Sequence, residues 1–237
     1  MLKIMETIQQ HKGKIEFNFA IFLFLLLSAD FIFMVMHVYY MLTHDMECSL
    51  FCLTRDRGYA EFFQYLKYSW IMILLGYILL ITKTPQYLSW ILLFAFFLFN
   101  DAFQLHHLFG SALSRKFVFD PPLDLTRSDV GAFVYFILCG LALMGLIFWT
   151  YLRGDQNYRK NSIDLGFFVL LIFFFGAVVD IIHVAFSLYG VGLSFFEDAG
   201  EMVIMSLVLW YVYMLAVSRG AFNLNIVGLI QGLFSRS

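Results

Sequence analysis

Charged residues are scarce in this chain: Asp, Glu, Lys and Arg make up only 14% of its 237 residues. A water-soluble globule of this length needs a polar shell that such a composition cannot supply, so a soluble domain is excluded. Also lacking are an internal repeat, a low-complexity tract and a glycine-rich nucleotide-binding loop. The connections between apolar stretches are too short to hold a separate soluble domain. Nucleic acid is not an expected partner of a chain with a formal net charge of -2. Cysteine is rare, with three in all. Cys48 and Cys52 fall in the first loop, where an oxidising compartment can pair them. Two unpaired loop thiols suit the sequence equally, and a CxxxC spacing alone is a weak metal signal. Cys139 lies within a long apolar stretch.

What the chain does hold is apolar: 62% hydrophobic residues, 20% aromatic, and a mean hydropathy of +0.82. A spanning helix needs about 20 mostly apolar residues. Six stretches qualify, at 17–42, 59–82, 87–110, 129–153, 164–189 and 194–219. The expected fold is therefore an all-α integral membrane bundle of about six transmembrane helices, one domain over residues 1–237. The first stretch is too long for the core of a cleavable signal and lacks a small-residue cleavage pattern, which predicts a retained helix. Residues 222–234 carry Ile226, Leu229, Ile230, Leu233 and Phe234 at helical spacing; the segment is too short to span and predicts a C-terminal interfacial helix. Lys3, Lys12, Lys14, Lys83, Arg153, Arg159, Lys160, Arg219 and Arg236 share the side of the termini, against Arg55, Arg57, Arg115, Lys116 and Arg127 on the other. That bias predicts cytoplasmic termini.

An ionisable group in hydrocarbon is costly, so each one inside a span is a functional candidate unless it snorkels to the interface. The first span carries Asp30 and His37 on one stripe. The second opens with Glu61, Gln64 and Lys67 at i, i+3, i+6. The third carries Asn100, Asp101, Gln104, His106 and His107. The fifth has Asp180 and His183, and the sixth opens with Glu197, Asp198 and Glu201. Odd spans run outward and even spans back, so all of these except Asp30, which lies deeper, fall in the outer half of the bilayer. No matching polar ladder is expected in the inner half. Asp129, Asp155 and Asp164 read as helix caps.

Seven carboxylates (Asp30, Glu61, Asp101, Asp180, Glu197, Asp198 and Glu201) converge where Lys67 is the one cation within a span. They cannot all stay ionised at low dielectric without positive charge. A divalent metal, shared protons, or Arg and Lys reaching in from loops would satisfy them. Carboxylate and imidazole at i, i+3 or i+4 on facing helices is also how di-metal sites are built in bundles. The expected ligands are Asp101, His106, His107, Asp180, His183, Asp198 and Glu201, with Asp101, Asp180, His183, Asp198 and Glu201 converging within a few ångströms. Only one of His106 and His107, about 100° apart on a helix, is expected to face the site. Asp30, His37, Gln64, Lys67, Gln104 and Glu197 form a supporting shell, with Lys67 a pairing partner or snorkelling residue ahead of a nucleophile.

At NDAFQLHH (100–107), DIIH (180–183) and EDAGEMVIMS (197–206) the chain resembles multi-pass bacterial membrane proteins that carry a (D/N)DAxxxH helix and a closing EDxGEM helix. The resemblance implies that these acids and histidines share one site in a bacterial inner-membrane protein, and it brings no established reaction. It favours His106 as the site histidine, whereas the arc from Asn100 through Gln104 favours His107. A looser analogy reaches intramembrane zinc hydrolases such as alkaline ceramidases and adiponectin-receptor-like proteins, but the last span lacks their HxxxH. A retinal protein is disfavoured, because that span has no lysine for a Schiff base.

The leading expectation is a metal-dependent intramembrane enzyme, acting on a lipid or other membrane-embedded substrate from the outer leaflet. Zinc would suit a hydrolase and a di-iron site an oxidase. Glu201 or Glu61 would act as general base. The alternative from another class is a proton- or cation-handling transport or coupling protein using the same acids. A haem protein ligated by His37, His106 or His183, and an accessory subunit with a structural polar core, complete the set. The oligomeric state, the metal and the substrate are not legible in the sequence.

Overall fold

A computed structural model describes residues 2–43, 49–116, 126–179, 190–222 and 224. Among them the chain is helical throughout, with no strand. The elements are α1 (Leu2–Thr43), α2 (Tyr59–Thr82), α3 (Tyr87–Phe103), α4 (Leu105–Lys116), α5 (Arg127–Arg153), α6 (Gln156–Phe173), a π-helical turn (Phe174–Val179) and α7 (Gly190–Val217). Among the described residues four segments are long and apolar enough to cross a membrane: Phe17–Thr43, Tyr59–Thr82, Val130–Arg153 and Ser194–Val217. The bent pair α3 and α4 makes a fifth if the two are counted as one span. Residues 180–189 of the expected 164–189 span lie outside the described residues. So does most of the expected interfacial helix; Phe222 and Leu224, its two described residues, are not helical and pack against the core.

Two expected boundaries are corrected. The 87–110 span is not one helix: Gln104 takes a left-handed φ of 50° and α4 leaves α3 at 70°. The Gln104 N–H turns back to the Asn100 and Asp101 carbonyls, which is a C-cap. α4 is held instead by close approach to α5, where a Cβ on Gly131 would lie 2.8 Å from Gly110 Cα. Small residues let two backbones meet in this way. A hydropathy average cannot see such a break. α6 likewise begins at Gln156, well before 164, because the Asp155 carboxylate accepts from Tyr158 N at 2.8 Å as its N-cap. Asp164 is therefore inside a helix and is no cap.

α7 is the central element. Of its apolar stretch 61% is buried, against 11% for α1 and for α5, which present their apolar faces outward. Met205, Val208, Val212 and Leu215 of α7 meet Ile71, Leu75 and Ile78 of α2 and Leu165 of α6 in the main core. Below, the end of the bundle carrying residues 49–58 is called outer.

Candidate functional site

The outer end is closed by a folded loop. Cys52 is disulfide-bonded and fully buried, and Cys139 is free; Cys48 lies outside the described residues. Cys52 N donates to Ser49 O and Tyr59 N to Leu50 O, so the loop's own backbone groups are paired locally. Leu53 packs with Ala60, Ala199 and Met202 in a second apolar cluster. Its N–H donates to Nδ1 of His37 at 3.1 Å, and the His37 ring stacks on Phe195 at 5.2 Å. His37 thus pins the loop to α1 and α7.

Beneath this loop lies a cavity of about 170 Å³. Asp56, Glu61, Asp101, Asp198 and Glu201 all line it, with Arg55 as the cation in the wall. Both Glu61 oxygens are engaged: Arg57 N donates to one, as expected for an acid in the first turn of α2, and the Tyr65 hydroxyl donates to the other. Tyr68 donates to Asp101 Oδ2 at 3.2 Å, and Asn100 Nδ2 reaches Asp101 Oδ1 at 3.3 Å. Gln104, left-handed at the break, donates to Asp56 Oδ2 at 3.0 Å. Gln64 also lines the cavity, and among the described residues its buried Oε1 has no hydrogen-bond partner.

The floor of the cavity leads to a buried ion pair. Met202 lines the cavity, and its carbonyl accepts from Lys67 Nζ at 2.9 Å. The same ammonium donates to Asp30 Oδ1 at 2.6 Å, and Ser206 Oγ donates to Asp30 Oδ2 at 2.6 Å. Asp30, Lys67 and Ser206 are each 0% exposed, and Lys67 also lies 4.6 Å from the centre of the Phe63 ring. Three helices, α1, α2 and α7, contribute one member each. Burying two ions costs several kcal/mol per ion, which a short contact with fully used oxygens offsets. Such a pair is therefore better evidence of a function than of stability.

Glu201 occupies a shaped position. A Cβ on Gly176 of the π turn would overlap its carboxylate, and a Cβ on Gly200 would overlap the Phe175 ring. The π turn and α7 are in reciprocal contact there, and π turns recur at functional sites.

The expected ligand set is brought together only in part. Asp101, Asp198 and Glu201 share the cavity, while Asp180 and His183 lie outside the described residues. His106 and His107 do not line it. His106 Nδ1 sits 3.3 Å from Asn100 Oδ1 and its ring packs on Phe136, so it is linked to Asp101 through Asn100; His107 is exposed. Glu197 is half-buried and lines no part of the cavity. Among the described residues no three His, Cys, Asp or Glu side chains form a metal-binding group. Nothing in the sequence alone assigns a role to Tyr65, Tyr68, Asp56 or Ser206. Tyr68 was findable, one and two turns along the stripe of Gln64 and Glu61. Ser206 follows Met202 by one turn, yet only the fold shows that Asp30 faces it.

A polar network absent from the sequence expectation occupies the opposite end. Asp164, 1% exposed, accepts from the Tyr211 hydroxyl at 3.1 Å and from Leu224 N at 3.0 Å. Asn161 Nδ2 donates to the Tyr87 hydroxyl and to Gly220 O, both at 2.9 Å. The hydroxyls of Ser89, Thr150 and Tyr158 lie 2.9, 3.0 and 3.2 Å apart, and Trp90 Nε1 donates to Ser162 at 3.1 Å. Most of these partners are Ser, Thr and Tyr hydroxyls, which hydropathy scarcely registers.

Fold and site together define an all-helical protein of the membrane-spanning class with a buried Asp–Lys pair under an acid-lined cavity. Comparison with protein-family models, with curated proteins and with solved structures found no match for the chain.

Proposed function

We propose that this is a proton- or cation-handling membrane protein whose acid-lined cavity feeds the buried Asp30–Lys67 pair. The observation that carries it is this fully buried pair, joined to the cavity floor through Met202. The carboxylates of Asp56, Glu61, Asp101, Asp198 and Glu201 concentrate cations at the cavity. The unpartnered Gln64 Oε1 adds a neutral acceptor. A cation or proton arriving at Asp30 neutralises it and releases the Lys67 ammonium. The ammonium keeps Met202 O as an acceptor and is drawn toward the cavity acids. Two charge arrangements of similar energy make a switch, and the incoming cation selects between them.

The same reading sets the cavity on the extracytoplasmic side of a bacterial inner membrane, with cytoplasmic termini. The Lys and Arg bias supports this orientation, and so does a disulfide at Cys52, which belongs in an oxidising compartment. Membrane lipids are the partners of the outward apolar faces of α1 and α5. Reconstituted in vesicles with a pH- or cation-sensitive dye, the protein should pass or bind protons or monovalent cations. Asp30→Asn and Lys67→Met should abolish the signal, and Glu201→Gln should weaken it. A signal unchanged in all three variants overturns the proposal.

A metal-dependent reaction on a membrane lipid is the second reading. It is favoured by Asp101, Asp198 and Glu201 facing one cavity, with Glu201 seated against the turn that precedes Asp180. The described donors do not by themselves make a ligand set. Stoichiometric zinc or iron in detergent-purified protein would select this reading over the first.

A further inference from the structure

The described residues include two buried side-chain oxygens that accept no hydrogen bond, Gln64 Oε1 and Gln86 Oε1. An acceptor taken out of water and left without a donor is costly, and most buried polar atoms in folded proteins avoid it. The two differ in their surroundings. Gln86 stands at the start of α3, where the hydroxyls of Ser89 and Tyr158 donate to its backbone carbonyl. Gln64 stands on α2 one turn before Lys67, and the i, i+3 spacing makes the two side chains neighbours on the helix surface.

Lys67 Nζ donates to Asp30 Oδ1 and to Met202 O, and the Phe63 ring is its third neighbour at 4.6 Å. On α2 the order toward the cavity is Lys67, Gln64, Glu61. Acids further out already receive donors: Glu61 takes Arg57 N and the Tyr65 hydroxyl, and Asp101 takes Tyr68 and Asn100. Gln64 lines the cavity together with Met202, whose carbonyl the ammonium already holds. An ammonium leaving Asp30 therefore has in Gln64 Oε1 an acceptor with no donor to displace, reached without letting go of Met202 O.

We infer that Gln64 Oε1 is the second seat of the Lys67 ammonium, taken when Asp30 is neutralised; the seat's part in cation handling rests on the reading proposed above. The neutrality of the amide suits it to this exchange. A carboxylate at position 64 would hold the ammonium about twice as strongly as a neutral acceptor does and keep it from returning to Asp30. A hydrocarbon there would leave the freed ammonium short of an acceptor in an apolar layer, which is costly. Gln64 is thus a positioning residue that acts through Lys67.

The test measures unfolding of the full chain in detergent, with Gln64→Leu introduced into three backgrounds. In the wild type it removes an acceptor that has no donor, so it should weaken the fold by no more than about twofold in the unfolding equilibrium. In Asp30→Leu, where the first seat is gone, it should weaken the fold by about tenfold or more, the worth of a hydrogen bond to a charged group. In Asp30→Leu with Lys67→Met that extra loss should vanish. Equal effects in all three backgrounds overturn the seat, because a glutamine that only packs or holds solvent does not sense Lys67. A vesicle assay needs no Asp30 variant to fold. Gln64→Leu and Gln64→Glu both keep the Asp30–Lys67 pair, and each should lower the wild-type signal by about tenfold. A full signal in either variant overturns the seat and spares the cation reading. A silent wild type with the coupling to Lys67 intact overturns the cation reading and leaves the seat standing.

Discussion

Lys67 and Asp30 show how strongly a single residue's meaning depends on its partner. Alone in a span, either would be expelled or neutralised; 2.6 Å apart, with Met202 O and Ser206 Oγ completing the shell, both stay buried. Removing one member strands the other. Lys67→Met or Asp30→Leu alone is therefore expected to cost about 3–5 kcal/mol, and the two combined to recover most of it. A double-mutant cycle on unfolding in detergent measures this coupling; additive losses would show the two sites to be independent. Ser206→Ala removes one bond to a charged acceptor and should cost about 1.5–3 kcal/mol in the same assay, with no further loss when Asp30 is already leucine. Asp30, Lys67 and four of the cavity acids, Glu61, Asp101, Asp198 and Glu201, were visible in the sequence as misplaced charge, whereas Asp56 lies in a loop where charge is ordinary. Their pairing was not, because α1, α2 and α7 are joined only by the fold.

At the scale of elements, the decisive features are breaks. Gln104 ends α3 by a left-handed cap, and Gly110 against Gly131 lets α4 turn aside to lie on α5. Gly131→Val would push a branched side chain into the Gly110 backbone. The expected loss is about 1–3 kcal/mol, the usual cost of overpacking, read as a lower melting temperature in detergent. Protease sensitivity should rise between Phe103 and Arg127, while the 59–82 helix stays protected. If proteolysis instead rises throughout, the glycine contact is part of the whole bundle rather than of this crossing. The π turn is the second break. Gly176→Ala should displace the Glu201 side chain and, under the cation reading, weaken the vesicle signal as Glu201→Gln does.

For the whole molecule, orientation decides which compartment the cavity samples. A reporter fused after Arg236 is expected to be cytoplasmic, and a tag inserted between residues 117 and 124 external. The reverse result would move the cavity to the cytoplasmic face and would contradict an oxidised Cys52. Polar groups occur at three depths: the cavity acids, the Asp30–Lys67–Ser206 group, and the Asp164–Tyr211–Asn161 network. Met202 joins the first two, and an apolar layer built from Ile71, Leu75, Met205 and Val208 separates them from the third. A path through the bundle has to part that layer.

The class of this protein was legible in its composition, because a lipid-facing chain has no freedom to be polar outside, and 14% charge cannot coat a soluble globule. The same scarcity made the candidate residues legible, since each acid within an apolar stretch stands out against a costly background. Tertiary structure decided which of them meet. Asp30 and Ser206 are 176 residues apart, and Lys67 is 135 residues from Met202. Contacts across such separations depend on helix rotation and crossing, which side-chain packing sets and one-dimensional periodicity does not record. Tertiary structure also revealed the inner network, because the hydroxyls of Ser, Thr and Tyr cost little in a hydropathy sum and Asp164 resembles a helix cap in the sequence, yet once buried such groups must find partners.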